Sequence, residues 1–450
     1  VEVREMETNT EEIDEKKYPV LTDELYKNPH GGIVICRRTD IPTDHSIPPA
    51  WGVLNEAGAK LLSECNGEKT IGDIIAQVYG EESDKARDPL VEYFKNASLT
   101  LNMEFCDSPS PHEVKSCGTV ECYYPLRVVG EVTTRCNLTC QHCYISAGSD
   151  GVDMKREDLF RIVSKLSEEG TLNFDISGGE PFVRKDIFDI VEKCCNTFYD
   201  VTISTNGTLI GKEEAKRLSE YSNLQIHVSL DSHTSQFHDK FRQVEGTFDK
   251  AVSAICNLVS EGVYTRIGTS ILKDNVNRFK KIVHLAEELG VSGMNFDMAR
   301  PTGRGEVLDM KPKKVMSWMK KMWKIVKEYE DEAFLVYERS RREFTARNCG
   351  AGTTMWTIGP TGHVRPCATL SEDYLVCGNL FREDFHSVFS GDRAKKFSEM
   401  ESPCKEVCGK CTYIYHCNKC FCNGVLMYKT LKDKCRWGVK MKISDWVTLT

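Results

Sequence analysis

Three cysteines, Cys136, Cys140 and Cys143, share one short stretch, with three and then two residues between them. They directly follow an apolar run, residues 126–134, that reads as a strand. Thiolates at this spacing can be presented by a single loop, and two chemistries suit them. One is a tetrahedral zinc site, which recruits a fourth ligand nearby; His142 lies inside the spacing. The other is a cubane iron–sulfur cluster with three irons held and the fourth left open to a small bidentate molecule. The spacing alone leaves both open.

Other residue types that carry chemistry follow at intervals. Gly178, Gly179, Glu180 and Pro181 come after a second apolar run; paired glycines let backbone approach a ligand, and Glu180 can meet an amino group. A tight turn is the plain alternative for these four residues. Ser204 and Asn206 follow a third run, Ser229 and Asp231 a fourth, and Arg242 stands eleven positions beyond Asp231. Arg300 and Arg304 flank a Pro-Thr-Gly turn after a sixth. The end of the chain is denser still, with ten cysteines between Cys349 and Cys435. Cys349 and Cys367 flank a hairpin with a Gly-containing turn, and Cys408, Cys411, Cys417, Cys420, Cys422 and Cys435 come after it. No ordinary core explains that density, and zinc ribbons are its alternative reading.

These residues need a scaffold. Strands are expected at 126–134, 172–177, 200–204, 224–230, 264–271 and 291–297. Helices are expected between them, at 156–169, 186–197, 212–221, 247–261 and 276–289. Six β-α repeats favour an α/β fold, a parallel sheet curled into a partial (β/α)6 barrel, with function at the C-terminal ends of its strands. The residues singled out above fall at those ends. Residues 1–30 read as a loosely docked acidic arm, 31–107 as a small domain of strands and three helices, and 108–123 as a Pro/Ser/Gly linker. The barrel occupies 124–310, a helical bridge 311–345 and a cysteine-rich domain 346–450. In the bridge, Val315, Met316, Met319, Met322, Trp323 and Val326 form an apolar stripe expected to be core.

Composition excludes some classes. A net charge of −8 gives no electrostatic reason to expect nucleic acid or an anionic membrane as partner. No apolar run approaches the ~20 residues of a membrane span, and the acidic start shows no signal peptide. Twenty-one cysteines in such a chain suggest metal or cluster ligation in a reducing cytoplasm.

The Cys-x3-Cys-x2-Cys loop, the Gly-Gly-Glu-Pro turn, the Ser-x-Asp strand end and the following Arg, in this order, resemble the radical S-adenosylmethionine (SAM) enzymes. The resemblance implies that Cys136, Cys140 and Cys143 ligate a 4Fe–4S cluster whose open iron binds SAM. It implies that Tyr144 contacts the adenine region, that Gly178, Gly179 and Glu180 bind the SAM amino group, and that Ser229 and Arg242 bind its carboxylate; Ser204, Asn206 and Asp231 stand at the same strand ends. His142 becomes a spacer. The C-terminal pattern resembles the SPASM extension, which carries two auxiliary 4Fe–4S clusters. Mapped on this chain, Cys408, Cys411, Cys417 and Cys435 fully ligate the second auxiliary cluster. Cys349, Cys367 and either Cys420 or Cys422, with Cys422 preferred, ligate the first. Only Cys349 is evident before the hairpin where fully ligated relatives have two cysteines, which implies an iron open to a substrate thiolate unless Cys377 or Cys404 fills it.

Residues 31–107 resemble the PqqD-like winged-helix domains that recognise leader peptides by strand addition. A DNA-binding winged helix is disfavoured by 7 Lys and Arg against 13 Asp and Glu. Together the three regions resemble thioether-forming peptide maturases, notably those of "six cysteines in forty-five" precursors. The resemblance implies SAM and three 4Fe–4S clusters as cofactors, a Cys-rich precursor peptide bound through its leader, and an electron donor such as ferredoxin or flavodoxin. It implies that a 5′-deoxyadenosyl radical abstracts hydrogen from the peptide and that a cysteine sulfur captures the carbon radical. The rivals are a formylglycine-forming sulfatase maturase and a non-catalytic iron–sulfur protein. Maturases of the former type carry an Asp where this chain has Ala368.

Overall fold

The computed structural model describes residues 13–29, 31–36, 50–98, 101–309, 311–329, 334–337, 349–370 and 375–445. It divides into two compact units, Val1–Cys122 and Tyr123–Thr450. Among the described residues no helix is long and apolar enough to cross a membrane.

In the first unit, strands β1 (Tyr18–Leu21), β2 (Glu24–Asn28), β3 (Gly31–Cys36) and β4 (Ala50–Leu54) precede helices α1 (Glu56–Ser63), α2 (Ile71–Tyr79) and α3 (Ser83–Ser98). β5 (Met103–Cys106) and β6 (Ser116–Gly118) follow. Asn55 caps α1 by accepting from the Gly58 amide at 2.7 Å, and Thr70 with Asp73 makes a capping box on α2. Ile71, Ile74 and Ile75 of α2 pack with Leu61, Leu62 and Phe94 into one core. The expected three helices are present. Of the expected arm, residues 1–12 lie outside the described residues, and the part from Tyr18 is docked as strands: β1 pairs with β5, β2 with β3, and Leu21 and Leu25 are fully buried. The Pro/Ser/Gly stretch is also docked, since β6 extends the sheet to the order β4-β3-β2-β6. Short strands with mixed polarity give little periodicity, which is why both stretches read as irregular.

The second unit is built on a ten-stranded sheet. Its centre is β7 (Arg127–Thr133), β8 (Asn173–Gly178), β9 (Asp200–Thr205), β10 (Leu224–Ser229), β11 (Tyr264–Ile271) and β12 (Gly293–Met298), side by side and parallel. Helices α4 (Arg156–Glu168), α5 (Ile187–Cys195), α6 (Lys212–Leu218), α7 (Ser235–Arg242), α8 (Thr247–Ser260) and α9 (Phe279–Glu288) make the crossovers. In β10, Leu224, Ile226 and Val228 are buried, while Gln225, His227 and Ser229 alternate with them on the other face. The apolar stripe of α8, Ala251, Ala254, Ile255 and Leu258, covers β10 and β11. This is the partial barrel expected, extended at both edges.

After α10 (Pro312–Lys327), β13 (Leu335–Tyr337) adds in parallel beside β12. At the other edge β14 (Met355–Ile358) pairs in parallel with β7, and β15 (His363–Arg365) and β16 (Gly378–Asn379) continue antiparallel. Helices α11 (Phe385–Ser390), α12 (Asp392–Ser398), α13 (Lys405–Cys408), α14 (Ile414–Cys417), α15 (Phe421–Leu431) and α16 (Arg436–Lys440) complete the chain. The cysteine-rich region is therefore continuous with the barrel sheet. Glu131 of β7 and Arg365 of β15, both 2% exposed, are ion-paired across that seam. In α10, Val315, Trp318, Met319 and Met322 are buried, but Trp323 is 41% exposed. It sits at the margin of the stripe and leaves the core, and α10 ends at Lys327 with Glu328 as its cap.

Candidate active site

The loop after β7 is fastened before it presents its thiols. Arg135 donates to both Asp153 oxygens (2.9 and 2.7 Å), and the Cys136 amide donates to the Gly148 carbonyl at 2.8 Å. Arg304, beyond β12, donates to the Cys140 and Ala147 carbonyls (2.9 and 2.6 Å), and its amide donates to the Cys143 carbonyl at 3.0 Å. Gly303 makes this approach feasible: its φ is +57°, and a Cβ there would stand 2.4 Å from the Tyr144 carbonyl oxygen. The sequence marked Arg304 by position only; its role as a clamp on the cysteine loop was not foreseen.

Donors surround the sulfurs. The Leu138 amide points at Cys136 Sγ (3.4 Å), the Ala147 amide at Cys143 Sγ (3.3 Å), and Arg242 Nη1 lies 3.7 Å from Cys140 Sγ. Such donors favour thiolates, yet burial pushes the Cys136 thiol up to about 11. A buried thiol of this kind ionises when a cation binds it. Three thiols from one loop, beside amide and guanidinium donors and open to a cavity with room for a further ligand, fit a 4Fe–4S cluster with one open iron.

Cys136, Cys140 and Cys143 open on a cavity of about 430 Å³. Of the residues expected at the site, Tyr144, Gly178, Gly179, Ser204, Asn206, Ser229 and Arg242 also line it. Gly178 has φ +124°, and a Cβ there would lie 2.1 Å from the Thr133 carbonyl oxygen, so only glycine fits. Arg242 Nη2 pairs with Asp231 at 2.6 Å, while its Nε is buried with no hydrogen-bond partner. Burial opposes the Arg242 charge, but Asp231 and Cys140 hold its pKa above the usual guanidinium value. Asn206 spends its side chain on Asn137 (2.9 Å) and Thr208, tying β9 to the cysteine loop.

Two expected residues do not line the cavity. Glu180 is fully buried behind it, and its carboxylate accepts from Thr205 Oγ1 (2.8 Å), the Asn206 amide (2.7 Å) and the Phe182 amide (3.1 Å). Burial raises its pKa, although those donors oppose the rise. These three donors brace the Glu180 carboxylate against β9 and the turn after β8. Asp231 is likewise a buried partner of Arg242 and of the Ser270 amide (2.9 Å). Burial would raise its pKa, and the Arg242 charge, then His142 and His238, bring it below the usual value. His142 lines the cavity, stacks on Phe241 at 4.6 Å, and is pushed down to about 4 by burial.

The far wall was not foreseen. His227, Gly268, Ser270, Asn295 and Asp297 come from the inward faces of β10–β12, a period-2 pattern that marks them only once the strands are known to curl. Asp297 binds Arg300 Nη2 at 2.6 Å, and Arg300 Nη1 donates to the buried Asn423 side chain. This carries the cavity wall to the C-terminal cysteines, because Asn423 follows Cys422.

Those cysteines sort into two groups. Cys408, Cys411, Cys417 and Cys435 line a second cavity of about 370 Å³, with Ile414, Met427, Leu431 and Trp437. Burial, followed by the other three and Cys420, raises the Cys417 thiol, and Cys408 is pushed up to about 11. Cys422 is pushed up to about 12 by burial, then by Cys367, with Arg300 opposing. Cys367 and Cys422 share Thr369, whose Oγ1 lies 3.1 Å from Cys367 Sγ and whose carbonyl lies 3.7 Å from Cys422 Sγ. Cys349 and Cys367 both pack, partly buried, on the hydrophobic core that contains Cys408, Cys420 and Cys422. Cys420 raises both the Cys417 and the Cys422 thiols and does not line the second cavity. Cys377 is half-buried just before β16, where Arg393 is the charge that faces it, and Cys404 caps α13 next to Cys408.

Comparison with known proteins agrees with this geometry. Residues 131–286 match the model of the Radical SAM superfamily, and residues 349–412 match that of the iron–sulfur cluster-binding SPASM domain. The antilisterial bacteriocin subtilosin biosynthesis protein AlbA of Bacillus subtilis is 28% identical over 410 residues, covering 88% of this chain and 90% of AlbA. An AdoMet-dependent heme synthase of Oleidesulfovibrio alaskensis is 26% identical, covering 67% of this chain and 83% of its own length. Streptococcus suis SuiB bound to precursor peptide SuiA shares the fold with a TM-score of 0.66 at 16% identity, over 93% of this chain and 98% of SuiB. Residues 131–286 thus carry a radical SAM domain and residues 349–412 a SPASM domain.

Proposed function

We propose that this radical SAM enzyme matures a ribosomally made, Cys-rich precursor peptide by joining a cysteine sulfur to a carbon of the same peptide. What carries the reading is one arrangement: a three-thiol loop opens on a polar cavity whose wall runs through Asp297, Arg300 and Asn423 to Cys422 and Cys367. Radical generation and sulfur capture would thus be joined by one hydrogen-bonded wall. Similarity to AlbA along most of the chain supports a peptide substrate.

In this reading Cys136, Cys140 and Cys143 hold a 4Fe–4S cluster, and SAM lies in the cavity beside it. Bound there, cluster and SAM supply a 5′-deoxyadenosyl radical able to take hydrogen from an unactivated carbon. The free Nε of Arg242 and the Ser229 hydroxyl receive the SAM carboxylate, a task suited to a fixed guanidinium fork. The Gly178–Gly179 backbone meets the amino group and Tyr144 the adenine. Glu180 and Asp231 orient these groups from behind. Cys408, Cys411, Cys417 and Cys435 hold a second auxiliary cluster completely. Cys349, Cys367 and Cys422 hold a first, with one position left for the substrate thiolate, which makes three clusters in all. The first unit takes the peptide leader as an added strand at the edge strand β4. The reducing cytoplasm would supply a flavodoxin or ferredoxin as electron donor.

Anaerobic incubation with SAM, dithionite and a Cys-rich precursor peptide tests this. The expected products are 5′-deoxyadenosine and a peptide lighter by the two hydrogens that each cross-link removes, resistant to reductant. Absence of 5′-deoxyadenosine overturns the enzyme reading. Its release with peptide mass unchanged overturns the substrate.

A further inference from the structure

One surface feature is unused by the chemistry above. Between Lys311 and Lys327 there are seven lysines and no acidic residue, in a chain whose net charge is −8. α10 buries Val315, Trp318, Met319 and Met322. Lys313, Lys320, Lys324 and Lys327 follow one another at intervals of seven, four and three residues, which puts all four on the opposite face, and all are exposed. Lys314 and Lys321 flank them and are engaged, by Asp309 and by Asn277 at 2.8 Å. The exposed indole of Trp323 lies at the margin. The first acidic residue, Glu328, comes only at the end of the helix.

The buried side of α10 packs on α14. α14 ends in Cys417, one of the four thiols lining the closed cavity. The stripe is about 21 Å long at 1.5 Å per residue, the footprint of a small globular domain. The patch is short and the chain as a whole carries a net charge of −8, so a compact acidic partner suits it better than an extended polyanion such as a membrane surface or nucleic acid.

We propose that the lysine face of α10 docks a small acidic electron-carrier protein, of the flavodoxin or ferredoxin class, which exchanges electrons with a cluster held by Cys408, Cys411, Cys417 and Cys435. The idea rests on the cluster reading of those four cysteines. Each exchange moves one electron and makes or breaks no bond: a reduced carrier is oxidised by one as the cluster is reduced by one, and the reverse occurs when a surplus electron leaves.

The test uses the iron-loaded full chain and an acidic flavodoxin. Calorimetry should give a Kd that weakens steeply between low salt and about 0.5 M salt, where the Debye length falls to a few ångström. Reversing four lysines together (K313E, K320E, K324E and K327E) should weaken binding at least about tenfold, or about 1.4 kcal/mol. Flavodoxin-driven release of 5′-deoxyadenosine should fall in step, while dithionite-driven release stays at the wild-type level, since a small reductant needs no dock. The milder Lys→Gln set, checked by its melting curve, serves if the reversal disturbs folding. Equal Kd and equal flavodoxin-driven rates for wild type and variants would overturn the proposal. So would a stripe that binds anionic vesicles or DNA while carrier binding is unaffected by the substitutions. If the wild type cleaves no SAM even with dithionite, the proposed function fails, and the Kd still decides the docking site.

Discussion

The two cavities lined by cysteines differ in the company their sulfurs keep. The first has three thiols beside glycine backbone, hydroxyls, Asp297, His227 and a buried arginine. The second has four thiols against Ile414, Met427, Leu431 and Trp437. Three thiols beside the more polar of the two walls leave a coordination position and groups that can orient a ligand at it. Four thiols beside the more apolar wall, whose charged groups are Lys410, Lys434 and Arg436, would satisfy a cluster without a further ligand, which suits electron transfer. Ligand number and wall polarity together, more than cysteine spacing, separate reactive from conductive sites.

The comparison can be broken first at the loop. Cys140→Ala is expected to abolish 5′-deoxyadenosine release and to remove about four irons per chain, with the remaining iron spectroscopically intact; release at the wild-type rate would remove the distinction. Next comes the buried pair. Arg242→Gln leaves Asp231 uncompensated and is expected to cost about 3–5 kcal/mol in urea unfolding. Adding Asp231→Asn should restore stability but not SAM cleavage, which separates the structural and ligand-binding roles of the arginine. At the C-terminal cysteines, Cys422→Ser should lower iron content by one cluster and Cys420→Ser should not; the reverse result would exchange the two assignments. The smallest effect is expected at Glu180→Gln, whose amide cannot accept from both Thr205 and Asn206. A loss of about 1–3 kcal/mol in positioning should appear as weaker SAM binding in calorimetry with clusters unchanged.

Much of the barrel was legible because its strands are apolar and its helices have regular stripes: β11 has the expected bounds, and the other five strands fall within a residue or two of theirs. The glycines and Arg242 were legible because few residue types can do their work. Glu180 and Asp231 were located by sequence, but their burial was not, since sequence does not say whether a carboxylate faces a cavity or stands in the wall behind it. Arg304 and Arg300 needed the fold, because the Cys140 and Ala147 carbonyls and the Asn423 side chain lie far away in sequence. The first unit's β1, β2 and β6 were hidden for a different reason. They are short, and their stability comes from pairing with distant strands, a tertiary effect that local pattern does not record.

The parallel pairing of β14 with β7 has a mechanical consequence. A domain tethered by a linker can swing, and two centres on such domains can approach and part during turnover. Here the strand feeding the Cys136 loop and the hairpin feeding Cys367 share one hydrogen-bonded sheet, locked by the buried Glu131–Arg365 pair. The spacing between the two thiol sets is set by the sheet, so the substrate must supply the movement: a peptide has to thread and reposition itself between fixed stations.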